Sequence, residues 1–287
     1  MAPIDLGVIG GSGLYSMAEL KEIEEHDLDT PFGKPSDPIV TGILGGKRIA
    51  FVARHGRGHR FLPSEVNYRA NIYALKQLGV ERIVSISACG SLREDYAPGD
   101  IVIPDQLFDF TRSRERTFFG QGLVAHIGTA DPFCPTLSAQ LTAAVREVGG
   151  KVHAGGKFIT IEGPRFSTKA ESHVYRQLGM DIIGMTASPE AFLAREAEMC
   201  YACMAHVTDY DVWHVSAEAV TVEMIVRILN QNTSLAQQAL SRLVAIPVNR
   251  EACPCPTALA TAIITAPDKI TAETRNKLQL LTGKYLR

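Results

Sequence analysis

Long apolar runs are scarce in this 287-residue chain, and the region 258–266 falls far short of a membrane-spanning helix. No membrane association is expected. Neither sign of charge dominates: 29 Lys and Arg stand against 31 Asp and Glu, a net charge of −2. That balance removes the electrostatic case for a nucleic-acid or anionic-membrane partner. The opening M-A-P-I-D lacks the basic flank and apolar stretch of a signal peptide, so a cytoplasmic location is expected. Internal repeats, low-complexity linkers and composition breaks are also missing. A single domain over 1–287 is expected, with a helical tail from about 247.

Cysteine is present six times, but not at metal-finger spacing. Cys200 and Cys203 form C-x-x-C inside an apolar, strand-like segment, and Cys253 and Cys255 form C-P-C. No His or Cys follows either pair as a zinc finger requires, so no metal is expected. Cys89, Cys134, Cys200 and Cys203 read as small buried hydrophobes. C-P-C reads as an exposed turn; a disulfide or reactive thiols there stay open, since a cytosolic compartment keeps most thiols reduced.

What is present is core: 46% of the chain is hydrophobic. Apolar runs predict strands at 4–9, 49–53, 82–87, 100–103, 157–161, 181–185 and 201–208. Helices are predicted at 64–78, 136–148, 168–178, 189–199, 218–246 and about 271–284. Thr168 with Glu171 makes a capping box, Gly179 suits a helix stop, and Ser188-Pro189 suits a helix start. Val222, Ile225, Val226 and Leu229 share one helix face. Alternating strands and helices predict a layered α/β domain with a largely parallel or mixed sheet.

Polar residues gather where the apolar runs stop. V-I-G-G-S-G-L at 8–14 offers backbone amides and the Ser12 hydroxyl to an anion. It fails the dinucleotide pattern, because Ser16 stands where the third glycine belongs. A-R-H-G-R-G-H-R at 53–60 places Arg54 and His55 as oxyanion donors. S-I-S-A-C-G-S-L at 85–92 reads as a strand end with Ser87 and the Ala88 amide unobstructed. I-E-G-P-R-F-S-T at 161–168 offers Phe166 to stack on a planar ring and Ser167 to bond its edge. In I-I-G-M-T-A-S-P-E at 182–190, Met185 and Thr186 end a further strand. Ligands bind outside strand C-termini in open α/β sheets. These segments together suit phosphate plus a nucleoside.

T-D-Y-D-V-W-H at 208–214 adds two acids. If the strand at 201–208 continues, alternation puts Asp209 and Asp211 on one face and Tyr210 on the other. Two such carboxylates repel, so a partner in the protein or a ligand is expected.

Quoted together, G-G-S-G-L, D-T-P-F-G-K-P-S, A-R-H-G-R-x-H, V-N-Y-R-A-N, A-C-G-S-L-R-E, T-I-E-G-P-R-F-S and T-D-Y-D-x-W resemble 5′-methylthioadenosine phosphorylases, in the trimeric branch of purine nucleoside phosphorylases. The resemblance runs from about residue 7 to about 230. It implies a three-layer α/β fold, a mixed twisted sheet flanked by helices, and a homotrimer or dimer of trimers. It also implies attack of phosphate on C1′ of the nucleoside, with free base and a sugar 1-phosphate as products and no cofactor. Phosphate contacts then fall on Ser12, Arg54, His55, Ser87, Ala88 and Thr186. Met185 lies under the ribose, and Phe166, Ser167, Asp209 and Asp211 hold the base. His126 reaches a neighbouring subunit's 5′ pocket, which Val222, Ile225 and Val226 line from their own chain. Gly184 departs from relatives that carry a bulkier residue such as Asn.

Chemistry favours a 6-aminopurine: an ionised acid accepts from the 6-amine, and a protonated neighbour donates to N7. A 6-oxopurine would turn an oxygen toward that acid. The apolar helix face suits methylthio over hydroxyl at the 5′ position, though with modest discrimination. Four competing readings are a 6-oxopurine phosphorylase, a nucleoside hydrolase, a nicotinamide oxidoreductase and a non-catalytic purine-binding protein.

Overall fold

The computed structural model describes residues 4–11, 19–214, 221–247 and 253–286, with the side chains at 222 and 224–231 outside that description. In chain order the first strands are β1 (Leu6–Gly10), β2 (Lys21–His26), β3 (Ile39–Leu44), β4 (Lys47–Ala53), β5 (Arg82–Ser91) and β6 (Ile101–Ile103). There follow β7 (Gln106–Phe110), β8 (Val152–Ala154), β9 (Lys157–Ile161), β10 (Ile182–Gly184) and β11 (Cys200–Asp209). The helices are α1 (Tyr68–Gln77), α2 (Pro135–Glu147), α3 (Lys169–Gln177), α4 (Ala187–Glu196), α5 (Val222–Ala245) and α6 (Ala272–Thr282).

β1, β5 and β11 are buried almost throughout, as strands covered on both faces should be. Their side chains alternate between two cores. Ile9, Ile83, Cys203 and Ala205 meet Ile72 of α1, Leu193 of α4 and Leu278 of α6. Val8, Val84, Ala202 and Met204 meet Leu141 of α2 and Leu240 of α5. Helices thus cover both faces of a mixed sheet, the three-layer α/β arrangement expected.

Sheet topology opens the site. The main path runs β2-β3-β4-β1-β5-β10-β9-β7, and β11 joins the other edge of β5. β1 pairs in parallel with Ile83–Ser85 of β5, and β10 pairs antiparallel with Gly90 and Ser91 on the same edge. Residues 86–89 therefore lie between the two partners, while β11 covers β5 on the far edge. The sheet forks there. This corrects the expectation of a strand ending near Ser87: β5 runs ten residues, through Ser91, and 85–92 is largely strand interior. It also corrects the picture of one common C-terminal edge. Thr186 follows β10, which enters from the opposite direction.

Four strands escaped the hydrophobic pattern. β2 is K-E-I-E-E-H at the sheet margin, where charge protects an edge from pairing. β3 joins β4 through a Gly45-Gly46 turn with both glycines at positive φ. β7 leaves Phe108 and Phe110 exposed, and β8 has only three residues. The Thr168 to Glu171 capping box is present in both directions.

The cysteine expectations divide. Cys89 and Cys203 are buried in the apolar core as predicted. C-P-C is not an exposed turn: Cys255 is 1% exposed and packs in the other core. Nor do Cys134 and Cys200 stand alone as hydrophobes, because their sulfurs approach those of Cys253 and Cys255.

Candidate active site

Ser87 and Ala88 form the floor of the fork, Ala88 being partly open to solvent. Beyond Gly184 the chain returns along β5, and Thr186 Oγ1 comes to 2.8 Å from Ser87 Oγ. One hydrogen suffices between two hydroxyls, so the second remains to be offered elsewhere. Thr186 occupies the N-cap of α4 without capping it, its hydroxyl being turned to Ser87. Gly184 has lost the space for a side chain to Phe158, whose ring would stand 2.7 Å from an added Cβ.

On the other side of the fork, β1 and β4 deliver Gly10, Arg54 and His55. Arg54 is buried and turned mainly to protein. Its Nε donates to Glu190 Oε1 at 2.5 Å and its Nη2 to Glu190 Oε2 and Ser85 Oγ, at 3.1 and 2.6 Å. Nη1 donates to the Ile86 carbonyl. The planar fork expected to grip an oxyanion is thus held by Glu190, which also accepts from Tyr201 OH at 2.8 Å. One Nη1 hydrogen is left without a partner among the described residues. In the sequence Glu190 only ends the segment 182–190 and carries no signal of this role.

His55 Nδ1 lies 2.9 Å from the Phe61 carbonyl and therefore carries the ring hydrogen there. Its imidazole stacks on His59 at 4.2 Å. Burial and the adjacent Arg54 charge push its pKa down to about 4, so the ring is neutral near pH 7. Nε2 then accepts rather than donates. A phosphate hydroxyl suits it, or a phosphate charge strong enough to protonate it.

Asp209 and Asp211 are brought together, though not by strand alternation. β11 shifts register between Val207 and Asp209, and Asp211 sits in a turn with φ of +51°. The pair is assembled by the Asp211 amide, which donates to Asp209 Oδ1 at 2.7 Å, while Thr208 Oγ1 donates to Oδ2 at 2.7 Å. Gly90 makes the approach possible: an added Cβ would stand 2.9 Å from Asp209 Oδ1 and 3.3 Å from Asp211 Cβ. Trp213 pins the turn by donating its indole N–H to the Ser91 carbonyl at 2.7 Å.

Both acids are nearly sealed, 6% and 8% exposed. Burial pushes Asp209 up to about 6, against the pull of its hydrogen bonds from Thr208 and the Asp211 amide. Burial raises Asp211 as well, and the Ser172 and Ser167 hydroxyls favour its charged form without meeting hydrogen-bond geometry. Asp211 Oδ2 and Ser167 Oγ have no hydrogen-bond partner among the described residues. Unsatisfied buried oxygen of this kind calls for a donor. In register, Ser87 precedes Gly90 by three residues, about 10 Å of strand.

Phe166 is 37% exposed and free to meet a ring, and Met185 packs in the small core with Ile183 and Trp213. Arg114, unnoticed in the sequence, fixes the loops around them. Its Nη1 donates to the carbonyls of Met185 and Ser188, both at 2.7 Å, and its Nη2 to Glu162 O at 2.9 Å. A lone Arg in R-S-R-E-R carries no signal of such a role. His126 is exposed, and its backbone N–H is held by the Ala262 carbonyl at 2.9 Å, with no described bond to the acids or the fork. Ser12 and the side chains of Val222, Ile225 and Val226 lie outside the described residues.

The phosphorylase superfamily model matches residues 5–245. S-methyl-5′-thioadenosine phosphorylase of Koribacter versatilis is 53% identical over 98% of this chain and 96% of that protein. The protein of the same name from Geobacter sulfurreducens is 54% identical over 98% and 99%. Among solved structures, a methylthioadenosine phosphorylase from an antarctic soil metagenomic library superposes with a TM-score of 0.92 at 48% identity, over 98% of this chain and 99% of that one. The Schistosoma mansoni methylthioadenosine phosphorylase in complex with adenine gives 0.80 at 41%, over 84% and 91%. A forked mixed sheet and likeness over nearly the whole chain agree: this chain belongs to the phosphorylase superfamily, with methylthioadenosine phosphorylases as its relatives.

Proposed function

We propose that the protein catalyses the reversible phosphorolysis of 5′-methylthioadenosine to adenine and 5-methylthioribose 1-phosphate, a step of purine and methionine salvage. The observation that carries the base choice is the buried pair Asp209 and Asp211, with Asp211 Oδ2 unsatisfied. The relatives' names support the methylthio group.

In this reading phosphate occupies the fork. Ser87, the Ala88 amide and Thr186 bind it, with Ser12 from the glycine turn. Arg54 contributes charge and one N–H, and His55 Nε2 takes up or shares the phosphate proton. Asp211 accepts from the 6-amine of adenine. Asp209, whose pKa is pushed up to about 6 by burial, is the group that holds a proton for N7. Thr208 Oγ1 also lies 3.2 Å from the Cys89 carbonyl, so it can donate there and accept from a protonated Asp209 instead. Both states of Asp209 are therefore accommodated.

Bond cleavage leaves positive charge on the ribose and negative charge on the purine. Phosphate beside C1′ stabilises the first, and the N7 proton the second. Holding both reactants in place supplies several kcal/mol, up to about 7–11 in favourable cases. Phe166 stacks on the base, Ser167 bonds its edge and Met185 underlies the sugar. Phosphate is a co-substrate, and the chemistry calls for no organic cofactor. The active unit is a homotrimer or dimer of trimers in the cytoplasm, with His126 reaching a neighbour's 5′ pocket toward Val222, Ile225 and Val226.

The test compares methylthioadenosine, adenosine and methylthioinosine at equal concentration with saturating phosphate. Faster turnover of methylthioadenosine than methylthioinosine supports the base reading. The reverse order would sink it and favour a 6-oxopurine enzyme.

A further inference from the structure

Four of the six cysteines converge outside the site just described. The sulfurs of Cys134, Cys200, Cys253 and Cys255 all lie within 4.8 Å of one another, and those of Cys200 and Cys253 are 3.4 Å apart. They arrive from three separate stretches of chain. Cys134 is the N-cap of α2, Cys200 opens β11, and Cys253 and Cys255 flank Pro254 at the head of the C-terminal segment. Alternation along β11 sends Cys203 to the opposite core, so the C-x-x-C spacing was never a ligand pair.

We propose that these four thiols bind one structural Zn²⁺ ion per chain. A tetrahedral zinc with bonds near 2.3 Å needs sulfurs about 3.8 Å apart. That spacing falls between the 3.4 Å pair and the 4.8 Å limit, within reach of small side-chain rotations. An all-thiolate set selects a soft or borderline ion, and four protein ligands leave no open position for chemistry. Binding is balanced as Zn²⁺ plus four thiols giving a zinc tetrathiolate of charge −2 and four released protons.

That negative charge has partners. Arg195 Nη1 lies 3.3 Å from Cys255 Sγ, where a guanidinium N–H supports a metal-bound thiolate. Cys134 is the N-cap residue of α2, so the positive end of that helix dipole lies beside its thiolate. Two disulfides are the rival use of the same thiols, but pairing does not require all four to converge on one point.

The ion would fasten the C-terminal segment to β11 and α2. That segment in turn holds the His126 loop, through Ala262 O to the His126 amide and Thr265 Oγ1 to the Val124 amide. The site thus acts on the loop's position without touching the reactants.

The test uses the full chain purified under reducing conditions without chelator, with metal measured by plasma mass spectrometry. About one zinc per chain is expected, lost in Cys134→Ser and in Cys253→Ser but retained in Cys89→Ser and Cys203→Ser. Should the serine variants fail to fold, Co²⁺ exchanged into the parent protein provides the second reading. Tetrahedral thiolate absorption bands support the site. The proposal is overturned if the parent takes up no zinc or cobalt, whether all six thiols titrate free after denaturation or only about two do, the latter meaning two disulfides.

Discussion

At the residue scale, burial separates Asp209 from an ordinary carboxylate. With its pKa near 6 it is largely protonated in mildly acid solution and ionises as pH rises. If its proton serves N7, kcat/KM for the nucleoside declines as pH rises through about 6 in the free enzyme, since that parameter reports free-enzyme groups. Asp209→Asn should lower kcat/KM by roughly 10²–10⁴-fold and remove that limb of the profile. Initial rates of adenine release across pH check both; an unchanged rate takes Asp209 out of the acid role. Gly90→Ala tests the geometry instead. The new methyl displaces the Asp209 carboxylate, and a shift near 1 Å costs up to about 10²-fold in kcat.

Among elements, β11 and the loop after β10 carry the least obvious devices. His206 is buried in β11 with neither ring nitrogen hydrogen-bonded among the described residues, and burial pushes its pKa down to about 4. Unfolded, the ring titrates near 6.5, so between about 6.5 and 4 the unfolded chain binds the extra proton. Stability falls as pH drops through that window, by about 3 kcal/mol for this group at most. Asp209 and Glu196, raised by burial to about 6 and 7, act oppositely, so the comparison must be with His206→Leu. Urea midpoints at two pH values should show a smaller acid-side loss in the variant than in the parent. Arg114→Met leaves carbonyls of the loops around Met185 and Glu162 without their donor and should cost ~2–4 kcal/mol by the same measurement.

These devices also show what could be read in advance. Buried strands such as β1, β5 and β11 announced themselves through continuous apolar runs, and the Thr168 cap through a local rule. β2 and β7 did not, because an edge or exposed strand need not be apolar. The two aspartates were legible as a pair needing a partner. Their actual assembly depends on a bulge, an amide bond and the space above Gly90, and none of these is a spacing rule. Arg54 was legible as an oxyanion donor at a strand exit, whereas its burial and its partner Glu190, 136 residues away, came only through folding.

Over the whole molecule, the fork between β1 and β10 sets the proposed phosphate and base sites along one strand, β5, and residues from distant segments gather around it. Among the described residues no helix is long and apolar enough to cross a membrane. If His126 serves a neighbour's pocket, His126→Ala should raise KM for methylthioadenosine several-fold while leaving KM for phosphate unchanged. Steady-state kinetics on the intact protein would check that split. The central claim is phosphorolysis, and its most direct measurement is adenine release from methylthioadenosine with and without inorganic phosphate, alongside assay of the sugar product. The account predicts release only when phosphate is present, with one methylthioribose 1-phosphate formed per adenine. Equal release without phosphate, yielding free methylthioribose, would contradict it.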